Sequence, residues 1–173
     1  MMDVFENAPS VSLREILDNR EWRACRQEEL IQKFLKSTVV SIKLNIPGNI
    51  KSTKILSNIF ENRLEGLIKG SLDFYVYKER ITGPEAFVIF NKGLTEMKKK
   101  MIHFEETDLL GRLFDIDLTS GDNQGKQLSR TDLGFPERSC YICSESAKEC
   151  ARSKKHSMDE IKFVINRMIE NAK

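Results

Sequence analysis

The chain has 173 residues, a length that suits a single domain, residues 1–173, with a sizeable hydrophobic core. Its formal net charge of +2 is too small to predict nucleic-acid binding, and no apolar run reaches the roughly 18 residues of a membrane span. Met1 to Ser12 lack the apolar segment of a signal peptide. We therefore expect a cytoplasmic protein without a membrane or nucleic-acid partner, in which the four cysteines are reduced thiols or metal ligands.

Local patterns in the first half of the chain predict helices and strands in alternation. Ser12-x-x-Glu15 is a capping box that starts a helix reaching about Leu35, with a break expected near Asn19. Runs of β-branched and aromatic residues predict strands, and apolar residues at helical spacing predict a second helix. The strands are predicted over 38–46, 74–81 and 86–90, and the second helix over 56–67.

The second half continues this pattern. Residues 94–104 have helical spacing, and the next predicted strand contains Asp115 and Asp117. Asn123 lies in a turn signal, after which 126–130 is expected to pair back as a hairpin. From Glu145 onward the chain is predicted to be helical. Together these elements predict an α+β fold, in which helices pack on a mixed sheet.

The segment from Gly111 to Leu118 contains two carboxylates one residue apart. Side chains at positions i and i+2 of a strand share a face, so Asp115 and Asp117 are predicted to project together. Ile116 and Leu118 would then anchor the opposite face in the core. Aligned carboxylates on a rigid strand suit a Mg²⁺ ion that also contacts a polyphosphate. The alternative is a solvated strand end or hairpin turn.

The basic residues fall into two groups. Lys98, Lys99 and Lys100 flank an apolar helical stripe, and we interpret them as a solvated face. Arginine supplies planar, bidentate donors that suit phosphate oxygens, and a triphosphate requires several positive charges. The arginines that are candidates for this task, or alternatively for weak surface salt bridges, are Arg112, Arg130, Arg138 and Arg152.

Three cysteines and a histidine lie close together as Cys140-x2-Cys143-x6-Cys150-x5-His156. This spacing supplies four candidate ligands for a structural zinc ion, although it lacks a second C-x-x-C pair. The three cysteines and Ala147 also fall on one stripe of a helix, where they would pack as small buried residues, and this is the preferred interpretation. As a further alternative, His156 meets phosphate together with neighbouring basic residues.

Six short motifs follow one another along most of the chain. They are an arginine-rich segment (Arg20, Arg23, Arg26 and Gln27), the turn Pro47-Gly48-Asn49-Ile50-Lys51, Gly83-Pro84-Glu85, Gly111 to Asp117, Leu128-Ser129-Arg130, and Arg138-x-Cys140-x2-Cys143-x6-Cys150-x-Arg152-x3-His156. In this order they resemble the CitX family, the holo-citrate lyase synthases or apo-citrate lyase phosphoribosyl-dephospho-CoA transferases. The resemblance extends from about Arg14 to His156.

The resemblance implies an enzyme of the nucleotidyltransferase type. It is expected to transfer 2'-(5''-phosphoribosyl)-3'-dephospho-CoA from its 5''-triphosphoribosyl donor to a serine of the citrate lyase acyl-carrier (gamma) subunit, with release of pyrophosphate. Asp115 and Asp117 are expected to hold Mg²⁺, and Arg112 to act beside them as a catalytic residue. One of the two aspartates, or Glu85, is the candidate acceptor of the serine proton. The residues expected to bind substrate are Glu85, Arg130, Arg138, Arg152 and His156.

Two features depart from known patterns. The family often has His-Pro before Leu-Gly-Arg, where this chain has Asp108 and Leu109, so Asp108 is a candidate base in place of the histidine. The Asp-x-Asp strand is similar to that of polymerase-beta-like nucleotidyltransferases, and this fold is an analogy only. In those enzymes the glycine turn lies about ten residues before the carboxylates, whereas Gly111-Arg112 lies much closer to Asp115.

Two other classes of function compete with a transferase. One is a zinc-stabilised, non-catalytic interaction domain built on the cysteines and His156, which leaves Asp115 and Asp117 without a role. The other is an RNA-binding domain, which the near-neutral charge argues against. Its candidate contacts are Tyr75, Tyr77, Arg152, Lys154 and Lys155.

Overall fold

The structure is a computed structural model that describes residues 3–6, 8–122 and 124–172. Its helices are α1 (Leu13–Lys33), α2 (Lys54–Leu67), α3 (Leu94–Thr107), α4 (Ala147–Ser153) and α5 (Met158–Asn171), and its strands are β1 (Thr38–Leu44), β2 (Asp73–Tyr77), β3 (Glu85–Phe90) and β4 (Phe114–Ser120). The strands form one sheet in the order β2-β3-β1-β4, and each neighbouring pair is antiparallel. This arrangement confirms the predicted α+β class, but the sheet that the structure describes is antiparallel and not mixed. A search of the described residues finds no helix that is both long and apolar enough to cross a membrane.

The larger core lies between one face of the sheet and the helices α2, α3 and α5. Strand β4 contributes Phe114, Ile116 and Leu118, which are all buried, as the alternation of β4 predicts for Ile116 and Leu118. Burying a side chain of this size stabilises a fold by about 1.5–3 kcal/mol relative to leaving it exposed. This face therefore fixes the position and register of β4. The helices contribute Leu56, Phe60, Leu64, Met97, Met101, Ile165 and Ile169.

Helix α1 covers the opposite face of the sheet. Toward its C-terminal end, Leu30 packs with Val39, Phe87 and Ile89 in a second, smaller core. The ring of Trp22 lies 5.8 Å from the ring of Phe87 and extends this core. The N-terminal half of α1 instead presents polar side chains to the sheet. Of these, Asn19 contacts Glu85 of β3, and Arg23 reaches both Glu85 and Asp117 of β4.

Helix α1 begins at the predicted capping box, in which the Ser12 N–H donates to Glu15 Oε2 at 2.8 Å. The break predicted near Asn19 is wrong, because α1 continues through this residue. The side-chain amide of Asn19 donates to Glu85 at 2.5 Å and accepts from Arg80 Nε at 2.8 Å. Its polar atoms are therefore engaged with the sheet and do not compete for the hydrogen bonds of the helix backbone.

The hairpin predicted after β4 does not form as a second strand. Residues 126–130 contain no strand, and the Leu128 N–H donates a single hydrogen bond to the Leu118 carbonyl at 3.4 Å. Asn123, which contributed to the predicted turn, lies outside the described residues. The segment after β4 thus follows the edge of the sheet without extending it.

Gly111 permits a close approach between α3 and the start of β4. A Cβ at this position would lie 2.5 Å from the Phe104 carbonyl oxygen and 2.9 Å from Glu105 Cα. Both are backbone atoms, which cannot move aside as a flexible side chain could. Glycine is therefore required for packing here, in the 3-10 turn Gly111–Leu113 that leads directly into β4.

Candidate active site

Asp115 and Asp117 lie on the face of β4 that points toward α1. The antiparallel register places Lys43 of β1 beside Asp115 and Ser41 beside Asp117. Lys43 Nζ lies 2.8 Å from Asp115 Oδ2, and Arg23 Nη2 of α1 lies 3.8 Å from Asp117 Oδ2. Both aspartates are half-buried and share one face, so the structure brings together the two carboxylates in the way that their spacing predicts.

The two carboxylates have different electrostatic surroundings. Burial opposes ionisation of Asp115, but the Lys43 ammonium group, together with Arg138 and Arg23, outweighs this effect and holds the pKa of Asp115 below its ordinary value. Burial, and next the negative charge of Asp115, raise the pKa of Asp117. A bound cation would relieve the repulsion between the two groups. The pair therefore has the donor chemistry that a Mg²⁺ ion requires.

A buried ion pair between Arg23 and Glu85 connects α1 to β3. Arg23 Nε lies 3.0 Å from Glu85 Oε2, and Asn19 donates to the other oxygen of the same carboxylate. Only 2% of Glu85 is exposed, and burial raises the pKa of its carboxyl group. Glu85 does not line the cleft beside the aspartates. Its position instead holds Arg23 where the guanidinium group faces Asp117.

A cleft of about 420 Å³ opens beside the two aspartates. Its walls come from β4, from α3, and from two segments that follow β4 in the chain, residues 129–131 and 137–151. Cations in the walls provide donors for phosphate oxygens, and the carboxylates provide ligands for a divalent metal. The charged residues that line the cleft are Lys98, Glu105, Asp115, Asp117, Arg130, Glu137, Arg138 and Lys148.

Two of the cleft cations also cap the outer edge of β4. This strand is at the edge of the sheet, so alternate carbonyl groups point away from β1. Two of these carbonyls receive a hydrogen bond from a cationic side chain, and a third receives one from a backbone N–H. The pairs are Arg138 Nη1 to Phe114 O at 3.1 Å, Lys98 Nζ to Ile116 O at 3.4 Å, and Leu128 N to Leu118 O at 3.4 Å.

The interpretation of Lys98 as part of a solvated lysine face is wrong. Only 9% of Lys98 is exposed, whereas Lys99 and Lys100 are exposed. Burial lowers the pKa of the Lys98 ammonium group, and the nearby carboxylates of Glu105 and Asp117 act in the opposite direction. Consecutive helical residues point in different directions, so one lysine of the run reaches the cleft while the other two face solvent.

Glu105 of α3 fixes the two predicted phosphate-binding arginines of the cleft. Only 4% of Glu105 is exposed, and burial raises the pKa of its carboxyl group. Arg138 donates a hydrogen bond to Glu105, and Arg130 Nη1 lies 3.8 Å from the other oxygen of that carboxylate. Arg130 also pairs with Glu106. Both guanidinium groups are therefore held in place before any substrate binds.

Arg112 and Arg152 lie outside the cleft lining. Arg112 donates to the Ser139 carbonyl, and its guanidinium carbon lies 4.9 Å from the centre of the Tyr141 ring. The Tyr141 hydroxyl in turn donates to the Arg112 carbonyl at 3.0 Å. Arg152 is exposed and pairs with Glu149 of the same helix at 3.1 Å. Arg112 therefore connects the 3-10 turn before β4 to the segment that contains Ser139 and Tyr141, and Arg152 remains at the surface.

Asp108 does not line the cleft either. It ends α3, where its carboxylate accepts from the Leu110 N–H at 2.8 Å and from Arg63 Nε of α2 at 3.4 Å. These contacts give Asp108 a structural role in the turn that leads to Gly111. The aspartate at this position consequently has no direct access to a substrate in the cleft.

The cysteines and His156 form a separate cluster, and the interpretation of them as one helical stripe is wrong. Cys140 and Cys143 precede α4, and Cys150 is the only one of the three within that helix. Cys143 Sγ lies 3.5 Å from Cys150 Sγ and 3.3 Å from His156 Nε2. Loops and helix thus bring together the four side chains that the sequence spacing identifies as candidate metal ligands.

Some residues of the site were not identified from the sequence as participants. Lys43 interrupts an otherwise apolar strand and shares a face with Ser41, which could have indicated a polar surface on β1. Lys98 and Glu105 are seven residues apart on α3, a spacing that places both on the same side of the helix. Their partners in the cleft are distant in sequence, so no local pattern identifies them.

Comparison with known proteins identifies the family of this chain. Residues 11–172 match a family model described as CitX, apo-citrate lyase phosphoribosyl-dephospho-CoA transferase. The chain is 34% identical to a probable apo-citrate lyase phosphoribosyl-dephospho-CoA transferase of Streptococcus pyogenes serotype M18, over 98% of this chain and 91% of that protein. It is 40% identical to Protein CitXG of Leuconostoc mesenteroides subsp. cremoris, and there the aligned region spans 98% of this chain but 37% of the longer relative. The chain therefore belongs to the CitX family.

Proposed function

We propose that this chain transfers 2'-(5''-phosphoribosyl)-3'-dephospho-CoA from a 5''-triphosphoribosyl donor to a serine of the citrate lyase acyl-carrier subunit, in the cytoplasm. The observation that carries the proposal is the carboxylate pair of Asp115 and Asp117 at a cleft lined by Lys98, Arg130 and Arg138. Membership of the family and the names of the relatives support this choice of substrates. Carboxylates and cations in one cleft are the donor set that a metal-bound polyphosphate requires.

Asp115 and Asp117 would hold a Mg²⁺ ion, which when bound would neutralise charge on the transferred phosphoryl group and on pyrophosphate. Lys43 keeps Asp115 ionised and fixes the orientation of its carboxylate. Arg138 and Arg130, already fixed by buried Glu105, present guanidinium groups to phosphate oxygens. Because these cations are positioned in the absence of substrate, little side-chain entropy is lost when the donor binds.

In the proposed reaction, the serine Oγ of the carrier attacks the α-phosphorus of the donor. A phosphorus–oxygen bond forms to give a phosphodiester, and the bond from the α-phosphorus to the bridging oxygen breaks. The electron pair of that bond leaves with pyrophosphate. The serine proton passes to one of the two cleft aspartates, because Glu85 and Asp108 lie outside the cleft lining. The other two cleft carboxylates, Glu105 and Glu137, are paired with Arg138 and Lys148.

A second cavity, of about 680 Å³, adjoins the cleft and offers space for the rest of the donor. The two spaces share Asn45, Ala147 and Ala151. The cavity is largely apolar, with basic side chains among its lining residues, which suits a nucleoside that carries a phosphate. We propose that dephospho-CoA lies here while the triphosphate occupies the cleft. The apolar and basic residues in question are Ile46, Lys51, Tyr141, Lys154, Met158 and Ile161.

The test is a transfer assay with purified apo acyl-carrier subunit, the triphosphoribosyl-dephospho-CoA donor and Mg²⁺. The mass of the intact carrier is measured for the wild type, for the double variant Asp115→Asn/Asp117→Asn and for Lys54→Met, a control in an exposed lysine at the start of α2. We expect a mass gain equal to the phosphoribosyl-dephospho-CoA group with the wild type and the control. The double variant, and wild type without added Mg²⁺, should give none.

Two outcomes would contradict the proposal. A mass gain that persists in a correctly folded double variant would move the active site away from the aspartates. No gain with the wild type, with donor and carrier verified, would exclude the transfer itself. Omission and restoration of Mg²⁺ is preferable to a strong chelator in this assay, because a chelator would also remove a metal bound by thiolates.

A further inference from the structure

The four-residue cluster of Cys140, Cys143, Cys150 and His156 has the geometry of a closed metal site. One ligand atom from each residue lies within 4.8 Å of all the others. Cys143 Sγ lies 3.5 Å from Cys150 Sγ and 3.3 Å from His156 Nε2. In a tetrahedral site with zinc–sulfur bonds of about 2.3 Å, neighbouring ligand atoms are separated by about 3.8 Å. The two measured separations lie slightly below that value, and every other ligand pair lies within 4.8 Å.

The backbone around the cluster presents its ligands from two sides. Residues 138–147 form a narrow loop in which the Cys140 N–H donates to the Glu145 carbonyl at 2.7 Å and the Ala147 N–H donates to the Arg138 carbonyl at 2.9 Å. The Ile142 N–H points to Cys140 Sγ at 3.5 Å, a contact that favours a thiolate at this position. Cys150 comes from α4, and His156 from the connection between α4 and α5.

This part of the chain contains very little hydrophobic core. Among the described residues between Leu118 and Ile165, Cys150 is the single buried apolar side chain. Helix α4 has seven residues, too few to be stable by itself in water. A segment that buries so little apolar surface requires another source of stability, and a metal ion bound by four side chains supplies one.

We propose that Cys140, Cys143, Cys150 and His156 bind a structural zinc ion. All four tetrahedral positions come from the protein, which is the arrangement of structural sites and leaves no position for a reacting water or substrate. Soft thiolate ligands with one imidazole favour Zn²⁺ over Mg²⁺ or Ca²⁺, which prefer oxygen ligands. The site is thus chemically distinct from the aspartate pair on β4.

The zinc ion acts on the active site through the segment that it orders. This segment supplies Arg138 and Lys148 to the cleft, and Ala147 and Ala151 to both the cleft and the adjoining cavity. Arg112 connects the same segment to the 3-10 turn that leads into β4, through the Ser139 carbonyl. Loss of the metal therefore leaves the sheet and its main core intact but releases one wall of the cleft.

The alternatives account for fewer of the observations. A disulfide between Cys143 and Cys150 would leave Cys140 and His156 without a role, and a sulfur–sulfur distance of 3.5 Å is well beyond the bonded length of about 2.05 Å. Simple packing of small residues requires burial, but Cys140 and Cys143 are both partly exposed. Only a bound metal uses all four side chains at once.

The experiment measures metal content and coordination, independently of transfer activity. The full chain is purified under reducing conditions, and bound metals are quantified by mass spectrometry of the elements. The protein is then stripped and reconstituted with Co²⁺. We expect one zinc ion per chain, and absorption bands of tetrahedral, thiolate-bound Co²⁺ that disappear when Zn²⁺ is added.

Cys143→Ser is the test variant, and Cys25→Ser is the matched control, because Cys25 is an exposed thiol on α1 outside the cluster. We expect Cys143→Ser to lose the metal and Cys25→Ser to retain it. If Cys143→Ser does not fold, the Co²⁺ titration of the wild type is by itself the test of the proposed zinc site. Wild type that binds no zinc after reduction and reconstitution, or a chain two mass units lighter with an internal disulfide, would overturn the proposal. The proposal would also be overturned if Cys143→Ser retained its metal and the absorption bands of thiolate-bound Co²⁺.

Discussion

Lys43 and Asp115 face each other across the β1–β4 pairing, with 2.8 Å between Lys43 Nζ and Asp115 Oδ2. The pair places a positive charge directly behind a carboxylate that is proposed to bind metal. A group in this position orients the carboxylate and keeps it ionised, and loss of such a partner typically reduces metal affinity or activity by about 10–100-fold.

We therefore predict that Lys43→Met reduces transfer to the acyl carrier by about 10–100-fold. Both side chains are partly exposed, so the free energy of unfolding should change by less than about 1 kcal/mol. Rates from the carrier mass assay and urea denaturation test the two parts separately. The exposed-lysine variant Lys54→Met serves as the control. Wild-type rates in Lys43→Met would show that Asp115 does not depend on this partner.

The lysine run on α3 offers a prediction with an internal control. Lys98→Met removes a buried cation from the cleft, whereas Lys99→Met changes an exposed residue next to it. A charge-assisted hydrogen bond contributes about 1.5–3 kcal/mol, so pyrophosphate should bind to Lys98→Met at least about 10-fold more weakly. Lys99→Met should bind it as the wild type does. Calorimetric titration measures both, and equal losses in the two variants would indicate a general charge effect.

Gly111→Ala should destabilise the fold. Its new Cβ would lie 2.5 Å from the Phe104 carbonyl oxygen, so α3 and β4 would have to separate, at a cost of about 2 kcal/mol. Gly66→Ala in α2 is the matched control, because a Cβ there meets nothing within 4 Å. Replacing glycine with alanine at an unhindered helical position stabilises by about 0.5–1 kcal/mol. Urea denaturation should therefore show opposite signs for the two variants.

Glu105→Ala should be more destabilising than an ordinary surface change. It removes the buried carboxylate that pairs with Arg138 and lies near Arg130, and breaking a buried ion pair costs about 3–5 kcal/mol. Glu106 is the more exposed of the two carboxylate partners of Arg130. Glu106→Ala should therefore lower the free energy of unfolding by less than about 1 kcal/mol. Comparable losses in the two variants would show that Glu105 does not anchor the arginines.

Helices α1 and α5 each begin with a capping box, formed by Ser12 with Glu15 and by Ser157 with Glu160, and these predict a specific response to acid. Hydrogen bonds with Ser12 and Ser157 lower the pKa values of Glu15 and Glu160, respectively. The folded state thus binds these protons more weakly than the unfolded state, so the stabilisation is present above the ordinary carboxyl pKa and is lost as pH falls through the lowered values. The double variant Glu15→Gln/Glu160→Gln should lose less thermal stability over that range than the wild type. Glu65→Gln, a change in an exposed carboxylate, should follow the wild type.

The sequence predicted the helices and strands of this fold better than the contacts between residues that are distant in the chain. The alternation around Asp115 and Asp117 identified β4 and its buried face, because strand periodicity is a local property. Asn19 was mistaken for a helix breaker because its partners, Glu85 and Arg80, lie more than sixty residues away. Lys98 was assigned to solvent for the same reason, since the β4 edge that covers it is a tertiary feature.

The candidate site shows the same limit. Family resemblance identified Arg130 and Arg138, which line the cleft, together with Arg112 and Arg152, which do not. The sequence alone does not distinguish one arginine from another. A buried partner such as Glu105 determines which of them is directed into the cleft. The cysteine spacing fitted both a helix and a metal site, and the choice between them depended on where α4 begins.

The capped outer edge of β4 has a consequence for the behaviour of the protein in crowded solution. An uncovered edge strand can pair with a strand of another molecule and so begin aggregation. Arg138 and Lys98 occupy two of the carbonyls through which such pairing would start, and their charges repel a second copy of the same edge. The cations proposed to attract a polyphosphate are thus also placed to oppose edge-to-edge pairing, and variants that neutralise them should be checked for self-association before any loss of activity is interpreted.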